Sequence, residues 1–302
     1  MAKEPIRHHY IPQFILRNFA CDHDKGLVFY CDKENRFISE RAIHEIFMER
    51  NLYRDEINNS DKPVRIESDL AKYESEVACI IREKFLDGRK IEITSTEDKT
   101  LKLFFAIMSF RSANTKEQLT NGLSQESKNF YKYFQPNEDF EDFWKRNLGY
   151  LVQCRSIDDV INHPDIDPPI KLFMHHDANG LSTKYFVVVE AKGGDAFILG
   201  DCYPVVISGD YVNLPMYDIF PISPSRAILL ASVGVDATPS DVLTLRSGVF
   251  DLPQKNDMGN IVITRKRLLS EEVYHINKEI EKNSRRGFIF SKQNKRKAHE
   301  YV

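Results

Sequence analysis

Apolar residues at Ile66, Leu70, Tyr73, Val77, Ile80, Ile81 and Phe85 recur at helical spacing and predict an amphipathic helix over residues 66–85. A second helix is expected to open at Thr96 as N-cap, with Glu97 and Asp98 in its first turn, and to run through Leu101, Leu103, Phe104, Phe105, Ile107, Met108 and Phe110. It is apolar on most sides, which places it in the interior. Helical character continues over 116–134 and 140–154, broken at Pro136 and Asn137. Earlier in the chain, Pro12 fits the first turn of a short helix whose buried stripe is Ile11, Phe14, Ile15, Leu16 and Phe19. Residues 27–30 and 36–39 read as a hairpin, 41–48 as a short helix, 51–54 as extended, and 55–63 as an exposed polar loop.

The period changes after the proline-rich stretch 162–169, where the domain change is placed. Strand formers occupy 185–190, 196–199, 205–207 and 227–232. A last helix opens at Ser270 and ends near Ser284, with a basic, frayed tail after it. The pattern therefore predicts an α+β protein. Residues 1–162 form a mainly helical part with a small β-hairpin, and 163–302 a mainly antiparallel β-sheet part with a final helix; one core can serve both.

At 302 residues with 42% hydrophobic content, the chain can fill a sizeable core. The net charge of -3 excludes a globally basic nucleic-acid coat, yet from Arg265 onward eleven Lys or Arg face five Glu, so the tail is basic on an acidic body. Five cysteines, far apart and never in a Cys-x-x-Cys pair, argue against a disulfide scaffold and a zinc ribbon and for a reducing cytoplasm. The first residues lack the apolar run of a signal peptide and no stretch of eighteen apolar residues exists, so neither export nor a membrane partner is expected.

The chemistry is dispersed. Gln13 and Arg17, four apart, share a helix face, and His9 precedes them on the chain. Glu67, Ala71, Glu74 and Ala78 fall at intervals of four, three and four, which sets two carboxylates among small residues on one side of their helix. Arg111 follows Ile107 and Met108, so it is drawn into apolar surroundings where an unpaired guanidinium is costly; Glu74 and Glu67 are its expected partners. Asp201 ends a strand, a place for a functional carboxylate and equally for an ordinary turn residue. His175-His176-Asp177 leads into a turn signal and reads as a loop. Phosphate-loop, dinucleotide, His-Glu-x-x-His and Gly-x-Ser-x-Gly motifs are all missing, which argues against common nucleotide-dependent and serine-hydrolase chemistries.

The segment His9-Tyr10-Ile11-Pro12-Gln13-Phe14, followed by Leu16-Arg17-Asn18-Phe19, resembles the opening signature of domain-of-unknown-function family 4238. Asn51-Leu52-Tyr53, the Glu74 helix, Arg111, Phe197 to Val205 and Phe220 to Pro224 follow in that family's order. The later block departs from it: the family pattern resembles Thr-Ser-Asp-Asn-Pro-Val, and here Asp201, Pro204 and Val205 remain with one extra residue between them. The resemblance implies places to look and no reaction.

The leading expectation is an intracellular hydrolase of a phosphodiester or nucleotide substrate. In it His9, Glu74 and Asp201 act as catalytic acid and base, and Gln13, Arg17, Tyr53 and Arg111 bind substrate. Glu67, Glu74 and Asp201 are the candidate ligands of a divalent cation. A nuclease-like toxin or defence effector is one form of this reading. The alternative is a non-catalytic nucleic-acid- or protein-binding module that uses the basic segment from Arg265 to Lys297, with the buried polar set only holding the fold in register.

Overall fold

The computed structural model describes residues 6–87, 90–120, 127–179, 184–207, 217–232 and 253–292, and its fold is mixed α and β. In chain order the elements are β1 (Arg7–His9), α1 (Gln13–Arg17), β2 (Leu27–Asp32), β3 (Phe37–Ala42), β4 (Met48–Arg50), α2 (Arg65–Ile80), β5 (Ile91–Ile93) and α3 (Ser95–Phe110). Helices α4 (Ala113–Thr120), α5 (Phe140–Leu151), α6 (Ile157–Asn162) and α7 (Pro168–Asn179) come next. The chain then gives β6 (Lys184–Glu190), β7 (Leu199–Gly200), β8 (Val205–Ile207), β9 (Tyr217–Ser223), β10 (Arg226–Ser232), β11 (Gln254–Lys255), β12 (Ile261–Arg267), α8 (Ser270–Asn283) and β13 (Gly287–Phe290). Two compact interleaved units result, one drawn from Met1–Tyr10, Met48–Cys79 and Lys99–Ala178, the other from Ile11–Phe47, Ile80–Asp98 and Asn179–Val302.

The first unit is helical apart from the ribbon of β1 and β4, which sets His8 opposite Glu49 and His9 opposite Met48. Helices α2 and α3 lie against each other because each presents an apolar face: Tyr73 meets Phe104 edge-on at 6.0 Å and donates its hydroxyl to the Thr100 carbonyl at 2.8 Å. An antiparallel pairing follows, so the start of α2 faces the end of α3. Trp144 of α5 closes that end by donating Nε1–H to the Phe110 carbonyl at 3.1 Å.

The second unit carries two larger sheets. One runs β11-β12-β6-β10-β9-β8 with β5 also on β12, and the other runs β3-β2-β13-β7. Pairing is antiparallel except between β12 and β6. Inward residues of both sheets, among them Phe29, Val187, Ile219, Leu229 and Phe290, share a core with Val273, Ile276 and Ile280 of α8.

Several local expectations change, each for a physical reason. The strand expected at 196–199 is reduced to β7 because the buried Asn277 amide takes over its backbone, accepting from Ile198 N–H at 3.0 Å and donating to the Ala196 carbonyl at 2.9 Å. The loop at 55–63 is largely exposed as expected, but it is anchored at its start, where Asp55 is buried and its carboxylate accepts from the backbone of Asn58 and the amides of Asn58 and Asn59. His175-His176-Asp177 lies within α7 and not in a loop, and 41–48 forms only a 3-10 turn at Ile43–Glu45 between strands. Residues 51–54 are turns, with Asn51 at a φ of 56°. The predicted helix over 66–85 finishes as a π-helix, Ile81–Leu86, whose Phe85 and Leu86 carbonyls accept from Arg226 Nη1. Nor does the chain fray after Gly287, since β13 is a fully buried strand between β2 and β7; residues 293–302 lie outside the described residues.

Helix α3 is capped two residues earlier than Thr96. Thr94 Oγ1 accepts from Glu97 N–H at 3.1 Å while Glu97 Oε2 accepts from Thr94 N–H at 2.7 Å, a reciprocal capping box. Thr94→Ala removes one half of it and is expected to lower unfolding stability by about 1 kcal/mol in urea titration, with Thr96→Ala close to neutral.

Candidate functional site

The polar groups of the first unit converge around Arg111, one residue beyond the end of α3. Its side chain is 1% exposed, and Nη2 lies 2.8 Å from Glu74 Oε1, whose side chain is 21% exposed. The expected partner is thus in place. The ion pair is close but poorly aligned, because Nε, Nη1 and Nη2 are all buried and none has a hydrogen-bond partner. The antiparallel packing brings Glu67, two helical turns before Glu74, within electrostatic reach of both Glu74 and Arg111.

Burial pushes the Glu67 carboxyl up to about 7; the Glu74 charge adds to this rise and the Arg111 guanidinium opposes it. Burial also raises the Glu74 carboxyl, against the pull of Arg111. The protein therefore holds two carboxyl groups beside one arginine, and Glu67 keeps a proton into the neutral range.

Tyr53 is buried behind this group, its ring stacked between His8 at 5.6 Å and Trp144 at 6.0 Å. Burial raises its phenol well above the ordinary range, which keeps it a neutral hydroxyl; the nearest acceptor is the His9 carbonyl at 3.5 Å. His8 is the residue the sequence did not single out. Its Nδ1 accepts the Tyr53 N–H at 2.8 Å, so the neutral ring carries its proton on Nε2. Both histidines are buried in β1, and the anchoring of Tyr53 comes from His8 and from the backbone of His9. Only the one-residue register of β1 separates the two, and adjacent histidines give no sequence signal for choosing between them.

The remaining candidates belong to the second unit. Arg17 is exposed and donates Nη2–H to Gln13 Oε1 at 3.3 Å, the shared helix face expected from their spacing. Asp201 is buried, and its two oxygens accept the backbone N–H groups of Arg285 and Arg286 at 2.7 Å each. That commitment pins the chain between α8 and β13. Among the described residues no group of three or more His, Cys, Asp or Glu side chains is arranged to hold a metal ion; of the expected ligands, Glu67 and Glu74 belong to the first unit and Asp201 to the second. In the basic segment, Arg265 pairs with Glu190 and Lys266 with Glu272, while Arg267 is 80% exposed. No helix among the described residues is long and apolar enough to cross a membrane.

A separate cleft with room for about 100 Å³ opens at the start of α2, between Asn58, Asn59, Arg65, Arg146, Tyr150 and Gln153. Its buried arginine is fully used: Arg146 binds Glu138 through Nε and Nη2, Asp167 through Nη1, and the Tyr133 carbonyl. The Arg111 cluster differs from it in holding donors without acceptors.

Comparison with curated proteins gives no match, and neither does comparison with solved structures. A family model matches residues 7–295, nearly the whole chain, and by that match the protein belongs to the family described as Protein of unknown function (DUF4238).

Proposed function

We propose that this chain is an intracellular hydrolase of a phosphate-ester substrate, a phosphodiester or a nucleotide, centred on Glu67, Glu74 and Arg111. The observation that carries the reading is a pair of helix-borne carboxyls, both raised by burial, beside one buried guanidinium that lies 2.8 Å from Glu74. Glu67 stays protonated near neutral pH, and Glu74 has its ionised form supported at 2.8 Å by Arg111. Such a pair supplies an acid and a base at the same pH. The Glu74 carboxylate takes a proton from an attacking water as its oxygen bonds to phosphorus. The bond from phosphorus to the leaving oxygen breaks, and Glu67 gives that oxygen its proton. Arg111 stabilises charge gathering on the phosphoryl oxygens, and Tyr53, fixed by His8 and Trp144, forms the wall behind it.

The test is a screen of nucleotides, phosphodiesters and nucleic acids with wild-type protein, then Glu67→Gln on each substrate that is cleaved. General acid loss of this kind is expected to reduce kcat by roughly 100-fold or more at pH 7. Cleavage that survives unchanged in Glu67→Gln removes this centre from the reaction.

A further inference from the structure

The three nitrogens of the Arg111 guanidinium constitute the largest unmet hydrogen-bonding demand among the described residues: apart from them only Ser291 Oγ is buried without a partner. Native proteins rarely leave such groups unmatched, and a buried guanidinium left so is among the costliest. Glu74 does not relieve it, because the approach to Nη2 lacks hydrogen-bond alignment, and Nε and Nη1 have nothing.

We infer that the Arg111 guanidinium is the seat of a terminal phosphoryl group carried by a small ligand, and not of the internal phosphodiester of a polymer. This rests on the hydrolase reading above and narrows its substrate class. The argument is one of donors and of enclosure. Nε and Nη2 form one edge of a planar fork that matches two oxygens of a phosphoryl group, the edge by which Arg146 holds Glu138, and Nη1 adds further N–H donors. Glu67 in its protonated form is an O–H donor within electrostatic reach of Arg111, and the Glu74 charge offsets that of Arg111, so the group takes an oxyanion without a large excess of positive charge. Arg111 is 2% exposed with all three guanidinium nitrogens buried, and Glu67 and Glu74 beside it are half-buried. A phosphodiester within a strand continues on both sides and needs an open groove; a terminal phosphoryl group needs admittance from one side only.

The experiment measures the thermal unfolding midpoint of the full chain with inorganic phosphate, with adenosine monophosphate, and with a DNA dodecamer lacking terminal phosphates. The comparison set is wild type, Glu67→Gln, Arg111→Met and the double variant Glu74→Leu with Arg111→Met. The double variant removes both charges together and so stays folded where the single change does not. A rise of about 2 °C or more with phosphate and with the monophosphate is expected in wild type and Glu67→Gln, absent from the variants lacking Arg111, with no rise from the dodecamer. The inference is overturned by no rise in wild type, which assigns the N–H groups to water, by an equal rise without Arg111, or by a dodecamer as effective as the monophosphate. Failure of the hydrolase reading is separate, because it is read as unchanged turnover in Glu67→Gln whatever the midpoints do.

Discussion

Gly287→Ala is expected to cost about 3–5 kcal/mol in unfolding free energy, or to leave no folded protein, through overpacking and lost ladder hydrogen bonds. Gly287 begins β13, and a methyl group there meets the carbonyl oxygen of Cys31 and the ring and hydroxyl of Tyr30. The tyrosine is a side chain and can swing, but the Cys31 carbonyl is backbone of β2 and moves only if the β2–β13 pairing moves with it. Two other glycines calibrate the effect. At Gly259 nothing stands within 4 Å and the burden is the φ of 77° alone, so Gly259→Ala should cost about 1 kcal/mol. At Gly200 the nearest obstacle is the Ser284 hydroxyl, so Gly200→Ala should be partly rescued by Ser284→Ala. Urea titration of the three variants orders them, and a Gly287→Ala protein within 1 kcal/mol of wild type would show that β13 is not held against β2 as described.

The Glu67 contribution to the stability of the wild-type protein should fall with rising pH across the interval in which the folded chain keeps a proton that the unfolded chain has lost. The folded chain holds that proton to about 7, whereas the ordinary value is 4.5, so between these limits the folded form binds more protons than the unfolded one. Raising the pH therefore favours unfolding through the window, and the loss is complete above the folded value. Its size is about 2–3 kcal/mol after allowing for the partial exposure of the carboxyl. Glu74 and Arg111 are the charged groups acting on it, and both remain in Glu67→Gln. Other carboxyls contribute slopes of both signs, since burial raises Asp201 while Asp159, accepting backbone hydrogen bonds, is lowered. The informative quantity is thus the difference between wild type and Glu67→Gln at each pH. That difference should grow in favour of the variant from pH 4.5 to above 7, and parallel profiles would rule out a raised Glu67.

What the sequence disclosed was whatever one element could state alone. The helical period over 66–85, the interior character of the helix ending at Phe110, and the need of Arg111 for a carboxylate all follow from side-chain type at fixed spacing. The pairing with Glu74 was readable because a charge in an apolar helix has few ways to be compensated. Tertiary substitutions were not readable. Asn277 replaces a strand neighbour for Ala196 and Ile198 across some eighty residues, and nothing near either end announces it. Asp201 had the look of a strand-end functional carboxylate, and only the fold shows that two distant backbone N–H groups claim its oxygens. Thr94 and Thr96 both begin plausible acidic first turns, and only geometry tells which threonine closes the box with Glu97. Glu67 was visible as a carboxylate on the right face, but its neutral-range acidity comes from burial, which spacing does not report.

The position of β13 between β2 and β7 bears on how the molecule is made. Strand β2 is synthesised next to β3, its hairpin partner, yet among the described residues its other edge is paired only with residues 287–290. Until residues 287–290 are made, that edge is a row of unpaired amides and carbonyls beside apolar side chains such as Phe29, a template for pairing with any nearby chain. Sheet closure is accordingly a long-range event, and the β2 edge is open to mispairing until it happens.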